Sequence, residues 1–538
     1  MRTYKIFRTG MFLLVLCMMY SMPLLAEEKT SQDLSTAWAA LVEDDYAEKE
    51  NAITLIAESE HPKAPQILSA LLDGRLYYSK KDDSLFFMSE TEDGYRFEAV
   101  QDGAVIEQDR KRGFSKIKIN NQIRGLIRQL LASSQLKNKD AKIRLGAVEE
   151  LLKEPDEDAV KLVVPLIEHE PDQHVAQLMG ALIAINQLDA PEVETQAVAI
   201  ETLKTVMAPA AINALRAYKA PNEELAEQAA LAIKSIEQKR DLYSKVETIF
   251  FGLSLGSVLA LAAIGLAITF GVMGVINMAH GELIMIGAYT TYVIQLMMPN
   301  HIGISIIVAI PVAFVVAGLV GIAIERSVIR HLYGRPLETL LATFGISLVL
   351  QQAVRSIFSP LNRTVETPAW MSGAWQVNDV LALTWNRIYI IFFCFAVFMA
   401  LIAIMKKTPL GLQVRAVSQN RAMARAMGVR SEWVDALTFG LGSGIAGIAG
   451  VALSLLTNVG PNLGQSYIID SFMVVVFGGV GNLWGTLVAG MSLGVVNKIL
   501  EPWAGAVLAK IVVLVFIILF IQKYPKGLFP QRGRAAED

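Results

Sequence analysis

The sequence has only two cysteines, Cys17 and Cys394, so it supports neither a disulfide framework nor a cysteine cluster with zinc-ligand spacing. It contains no Gly-Lys dipeptide, which excludes a phosphate-binding loop of the G-x-x-x-x-G-K-[ST] type. Its six histidines include no H-E-x-x-H, the spacing that sets two metal ligands on one helix face. His169 and His174 flank an acidic turn with no third ligand at a diagnostic distance, and read as solvated. These absences point away from an enzyme, and no metal, cofactor or nucleic-acid partner is expected.

Charge is scarce, at 18% of residues against 53% hydrophobic, and the net −3 conceals an uneven split. Residues 1–26 carry three Lys/Arg and no acid, residues 27–247 carry 27 Lys/Arg against 40 Asp/Glu, and residues 248–538 carry 18 against 11. An acidic soluble part is therefore joined to an apolar, mildly basic part with the long uncharged runs of a membrane domain. At the front, Arg2, Lys5 and Arg8 precede an apolar core from Met11 to Tyr20, then Pro23 and Leu24-Leu25-Ala26. That order is a signal peptide, residues 1–26, with cleavage expected after Ala26.

Residues 27–247 read as mostly helical. Ala/Leu-rich stretches at 144–152, 175–185, 195–203 and 226–236 are punctuated by Pro155, Pro171, Pro191, Pro209 and Pro221. Short amphipathic helices between proline turns suggest a HEAT-like stack, in which each unit buries its apolar face on the next. Between Arg75 and Ile119, aromatic and Val residues alternate with Asp/Gly turns, the pattern of a small antiparallel β meander.

From Thr248 onward there are nine apolar segments, near 249–272, 283–298, 303–325, 338–358, 387–405, 433–457, 468–480, 485–500 and 504–522. Thirteen of the eighteen positive residues fall in three gaps, around 326–335, 406–430 and 523–534, which the positive-inside rule assigns to the cytoplasm. Three crossings before Arg326 then put residues 27–247 outside the cytoplasm, in agreement with the signal peptide. The segment 468–480, too short to span unaided, is expected to be a partial segment. The fold class expected is an all-α polytopic membrane protein of about eight transmembrane helices plus that piece, residues 248–530. An exported, mostly helical domain precedes it, and residues 531–538 form a cytoplasmic tail.

Three places interrupt the apolar helices. In residues 271–282, Gly271, Gly274 and Gly281 loosen a helix while Asn277, His280 and Glu282 add polar groups. Two readings stay open there: a broken helix offering hydrogen bonds to a small polar solute, or a tight inner-face turn capped by Asn277 and His280 with Glu282 in water. Gly440, Gly442, Gly444, Gly447 and Gly450 permit close helix approach. Asp470 is expected to cap the short segment, and Lys510 to snorkel to the outer surface. The basic gap opens with Pro409 and Gly411, reads as one helix from Leu412 to Met427 with Val414, Met423 and Met427 exposed, and closes on Gly428 as a C-cap. Such a helix suits either a partner's groove or anionic headgroups.

The blocks GVMGVINMAHGELIMIGAY (271–289), ERSVIRHLYGRPLETLLATFGISLVLQQ (325–352), PLGLQVRAVSQNRAMARAMGV (409–429) and YPKGLFP (524–530) resemble the permease family of branched-chain amino acid ABC transporters. The resemblance spans 248–530, and an exported extension of this size is similar to the family's urea-transporting branch. It implies an inner-membrane permease subunit of an ATP-driven importer, for urea or alternatively for branched-chain amino acids or short amides. The implied partners are two cytoplasmic ATP-binding subunits, a second homologous permease and a periplasmic solute-binding protein, within membrane lipid. Under this resemblance Asn277, His280, Gly281 and Glu282 belong to the solute pathway. Gly411, Gln413, Arg415, Ala416, Asn420, Met427 and Gly428 belong to the segment that seats on the ATPase. Met278 departs from the Phe common in the family, a change that bears only on fine pore shape. A passive channel for small neutral solutes is the main rival, and it would need no docking helix.

Overall fold

The computed structural model describes residues 37–529, leaving aside 44, 60, 62, 92 and 93. The signal peptide expected at 1–26 and the tail expected at 531–538 lie outside the described residues. The chain divides into two compact units, one ending at Lys239 and the other starting at Arg240.

In the first unit, helices α1 (Tyr46–Glu58) and α2 (Ala64–Leu72) precede five strands: β1 (Leu76–Ser79), β2 (Leu85–Thr91), β3 (Gly94–Ala99), β4 (Val105–Gln108) and β5 (Phe114–Lys116). The strands form one antiparallel sheet in the order β4-β3-β2-β1-β5. It departs from a plain meander because β5 pairs with the far side of β1. One set of side chains, including Leu76 and Leu85, packs with Ile53, Ile67 and Ile123 of the helices, while Tyr77, Phe86, Phe97 and Phe114 form an aromatic cluster of their own. The sheet is followed by α3 (Asn121–Gln135), α4 (Ala141–Leu151), α5 (Glu157–Ile167), α6 (Gln173–Gln187), α7 (Val193–Lys204) and α8 (Pro209–Ala217). Asn120, Asp140, Asp156 and Asp172 cap four of these helices, each side-chain oxygen accepting from a first-turn N–H. The buried Arg144 of α4 holds Glu170 through two bonds, Nε at 2.9 Å and Nη2 at 2.6 Å. Its guanidinium draws the Glu170 pKa below the usual carboxylate value.

The helix α9 (Glu223–Met273) reaches into the second unit, which continues with α10 (His280–Met297), α11 (Ile302–Ser327), α12 (Pro336–Phe358), α13 (Trp385–Lys407), α14 (Pro409–Gln419), α15 (Arg421–Ala426), α16 (Ser431–Ser454), α17 (Leu463–Gly478) and α18 (Leu483–Lys523). Among the described residues six helices are long and apolar enough to cross a membrane: α9, α11, α12, α13, α16 and α18. That is fewer than the eight expected, for two physical reasons. The eighteen residues of α10 include His280, Glu282 and Gln295, too polar for the same hydropathy. In α18, two apolar helices meet at a kink at Gly505, whose φ of 75° and ψ of 161° lie outside the helix, and its 41 residues count as one.

Within this unit α16 is the innermost helix, with nearly every residue from Val434 to Ser454 buried. Its glycines let backbones touch: a Cβ on Gly442 would stand 2.6 Å from the Gly265 carbonyl oxygen, and one on Gly447 2.6 Å from that of Ala313. The sixteen residues of α17 make about 24 Å of helix, short of the roughly 30 Å of hydrocarbon. The helix starts at Leu463 rather than 468 because the polar Gly464-Gln465-Ser466 is taken into its first turn. Asp470 therefore sits mid-helix and caps nothing. It is buried and accepts from Lys510 Nζ at 2.9 Å, while the Lys510 side chain, beside the Tyr467 ring, stays half exposed.

Candidate functional site

The helix break expected from Gly274 lies between Met273 and His280. Gly274 takes φ +65°, a left-handed conformation that costs glycine little, and its N–H closes α9 on Phe270 O at 2.9 Å. The chain then turns through Asn277, whose Oδ1 accepts from Ala279 N at 3.0 Å, and re-enters a helix at His280. Asn277, His280 and Glu282 are all buried, so the turn reading with Glu282 in water does not hold. His280 Nε2 lies 2.8 Å from Ala262 O; a carbonyl only accepts, so this nitrogen carries the proton. Gly281 packs on Gly464, where an added Cβ would stand 2.5 Å from the carbonyl oxygen.

Glu282 faces a stripe that the sequence reading passed over. Thr339, Thr343, Ser347 and Gln351 recur every four residues along α12, all on its buried face, while Leu341, Leu348 and Val349 point outward. Ser347 Oγ and Gln351 Nε2 both donate to Glu282 Oε1, at 3.0 and 2.7 Å, and Thr343 Oγ1 accepts from Met278 N at 3.1 Å. One polar atom of each candidate residue, Asn277 Nδ2, His280 Nδ1 and Glu282 Oε2, has no hydrogen-bond partner among the described residues. Buried polar atoms rarely stay unpaired without a role. The four-residue spacing was visible in the sequence as a polar stripe on an apolar span.

The basic gap forms two short helices instead of one. Asn420 breaks it, with φ −149° and ψ 97°, and its side chain caps α15 by accepting from Met423 N at 2.9 Å. Asn competes for backbone N–H groups, which is why it caps here rather than continuing the helix. Gly428, at φ +88°, closes α15 with paired bonds, Gly428 N to Arg425 O and Val429 N to Ala424 O, both at 3.0 Å. Val414 is buried with Val417, Ala424 and Val434, contrary to expectation, because α14 turns that face onto the membrane helices. The exposed face carries Leu412, Met423 and Met427, with Gln413, Arg415, Asn420 and Gly428 also open to solvent and Ala416 half-buried. Gly411 is buried against the Met405 carbonyl, to which Arg415 also donates.

Arg421 ties this segment to the membrane core, and no local pattern in the sequence marked it. Its Nη1 and Nη2 donate to the two oxygens of Asp435 in α16 at 2.7 and 2.9 Å, its Nη2 also to the Tyr333 hydroxyl, and its plane lies 4.3 Å from the Tyr333 ring centroid. Burial disfavours the guanidinium charge, but the Asp435 carboxylate outweighs it and raises the Arg421 pKa. Arg425 Nε donates to Ser431 Oγ at 2.6 Å, a second tie at the start of α16.

Residues 248–521 match the family described as branched-chain amino acid transport system permease component. The high-affinity branched-chain amino acid transport system permease protein LivH of Escherichia coli is 30% identical over 293 residues, 53% of this chain and 94% of that protein. The corresponding protein BraD of Pseudomonas aeruginosa is 29% identical over 297 residues, 54% of this chain and 96% of that protein. The ribose import permease protein RbsC of Haemophilus influenzae is 24% identical over 268 residues, 48% of this chain and 79% of that protein. No solved structure gives a significant match. These relatives are permease components of transporters, and the chain is a multi-pass membrane protein that belongs to the branched-chain amino acid transport permease family.

Proposed function

We propose that this chain is an inner-membrane permease subunit of an ATP-driven importer and that its solute is urea. The observation that carries the importer reading is the α14–α15 segment, which presents Leu412, Met423 and Met427 outward while Arg421 clamps its base to the innermost helix. A passive channel has no use for such a lever. In this reading two cytoplasmic ATP-binding subunits seat on Gln413–Gly428, a second homologous permease completes the pathway, and a periplasmic binding protein delivers the solute. Three crossings before Arg326, by α9, α10 and α11, and two more before Lys406, by α12 and α13, put the first two basic gaps inside and the HEAT-like domain of residues 27–247 in the periplasm behind a cleaved signal peptide.

Closure of the ATPases would move α14 and α15 and, through Arg421, α16. The transmembrane pathway then exchanges its outer opening for an inner one, driven by differential contacts in two states. Asn277, His280, Gly281 and Glu282, with the stripe of Thr343, Ser347 and Gln351, supply donors and acceptors suited to an amide solute. Two features favour urea: those groups are hydroxyls, amides and one imidazole around a single carboxylate, and the family match begins at residue 248, leaving the acidic front part of this chain outside it, an extension of the kind the urea branch carries. The names of LivH and BraD favour branched-chain amino acids as the second reading. Uptake of labelled urea and leucine, measured in cells with and without the gene, separates the two: loss of urea uptake is expected, and loss of leucine uptake alone would overturn the urea assignment. Arg415→Glu should abolish uptake at normal protein levels; unchanged uptake would remove Arg415 from the dock.

A further inference from the structure

A cavity of about 460 Å³ lies behind the coupling segment, between α14, the ends of α9 and α13 and the start of α18. Its walls are apolar, with Ile268, Ile402, Leu483 and Trp484, and its polar side carries Lys406 and Arg415. No Asp or Glu lines it. Lys406 makes no ion pair or hydrogen bond among the described residues, and Arg415 gives one N–H to Met405 O and keeps the rest of its fork available. Trp484 is largely exposed and its ring meets Phe398 edge-on at 4.8 Å; with residues 406–430 on the cytoplasmic side, its indole would lie at headgroup depth. An apolar wall, a doubly cationic rim and an interfacial tryptophan describe a site for an anionic amphiphile, not for a neutral solute.

We infer that one anionic phospholipid of the inner leaflet occupies this cavity, its phosphate held by Lys406 and Arg415 and its first methylenes lying against Ile402 and Trp484. Guanidinium and ammonium groups at an apolar boundary hold phosphate strongly because little water competes there. The volume suits a headgroup and the start of its chains, with the remainder in the bilayer. Such a lipid would wedge α14 against the membrane helices and make coupling depend on membrane composition. The inference rests on the cytoplasmic placement of residues 406–430 proposed above. Lipid retention is read without transport, so a failure to import urea would leave it standing.

The test is native mass spectrometry of the purified full-length chain, delipidated and titrated with phosphatidylglycerol or phosphatidylcholine. One phosphatidylglycerol per chain should be retained and phosphatidylcholine should not. Lys406→Gln should weaken retention by about tenfold, the usual scale for one charge-assisted contact, whereas Lys407→Gln, outside the cavity, should leave it unchanged. Ser418→Trp fills the cavity without removing charge and should abolish retention. Glycerophosphoglycerol, the headgroup without chains, should not compete. The inference is overturned if Ser418→Trp retains lipid like wild type, if Lys407→Gln weakens it as much as Lys406→Gln, or if the free headgroup competes equally. It is overturned equally if assembly with the ATP-binding subunits expels the lipid, since the cavity would then be a protein docking site.

Discussion

Replacing Arg421 by Ala tests whether the α14–α15 segment is held by one clamp. Asp435 is 4% exposed and would keep its carboxylate without the two bonds at 2.7 and 2.9 Å. Breaking a fully buried pair costs roughly 3–5 kcal/mol. The Arg421 side chain is 28% exposed, which lets water reach the gap, so the lower end, about 3 kcal/mol, applies. That is about a hundredfold in the equilibrium between docked and undocked segment. Arg421→Lys keeps the charge but loses the fork and much of the contact with the Tyr333 ring, and should cost roughly half as much. Hydrogen exchange followed by mass spectrometry on the purified chain reads this locally. Exchange within 409–426 should rise about a hundredfold, with 440–454 unchanged. Adding Asp435→Ala to Arg421→Ala should restore part of the protection, because no buried charge is then left unpaired. Exchange in 409–426 that ignores Arg421→Ala, or strict additivity in the double variant, would refute the clamp.

The other predictions concern packing, the polar stripe and acid stability. Gly281→Ala, whose Cβ would press on the Gly464 backbone, should lower thermal stability in detergent by about 1–3 kcal/mol, whereas Gly345→Ala, with open space around it, should lose nothing. Gln351→Leu removes the 2.7 Å donor to Glu282 and should destabilise by about 1.5–3 kcal/mol; Glu282→Leu with Gln351→Leu should recover part of that while urea uptake stays abolished. Recovered uptake in the double variant would give the stripe a purely structural role. The Glu170 pKa is depressed in the folded state, so its contribution is present above the ordinary value of 4.5 and is lost as pH falls through the lower folded value. Exchange in 138–175 should therefore rise on acidification, and Glu170→Gln should remove that acid-dependent step.

Much of the membrane unit was legible because hydrocarbon imposes length and apolarity on each helix, and because glycine and polar residues interrupt those runs visibly. The break at Gly274 and the cap at Gly428 follow from local backbone chemistry and could be read from the residues. Asp470 was misplaced because three polar residues hide the true start of α17 from a hydropathy reading. Asn420 was misread because a helical composition on both sides masked a residue that prefers to cap. The Arg421 clamp joins Tyr333, Arg421 and Asp435 across long separations, so only the tertiary fold brings it together. The α12 stripe was readable by spacing alone, yet its partner Glu282 was not, since nothing local says which helix α12 faces.

The glycine contacts of α16 and the hydroxyl and amide groups of α12 sit on different helices, and this division of labour has an evolutionary consequence. Where main chain rests on main chain, as at Gly442 on Gly265, even one methyl is obstructed, so that seam is conservative by geometry. Ser347 and Gln351 are the α12 groups that meet Glu282, and neither rests on a glycine of such a seam. Under the proposed pathway, a lineage could therefore retune its cargo by small edits on α12 while the frame of α16 stayed fixed.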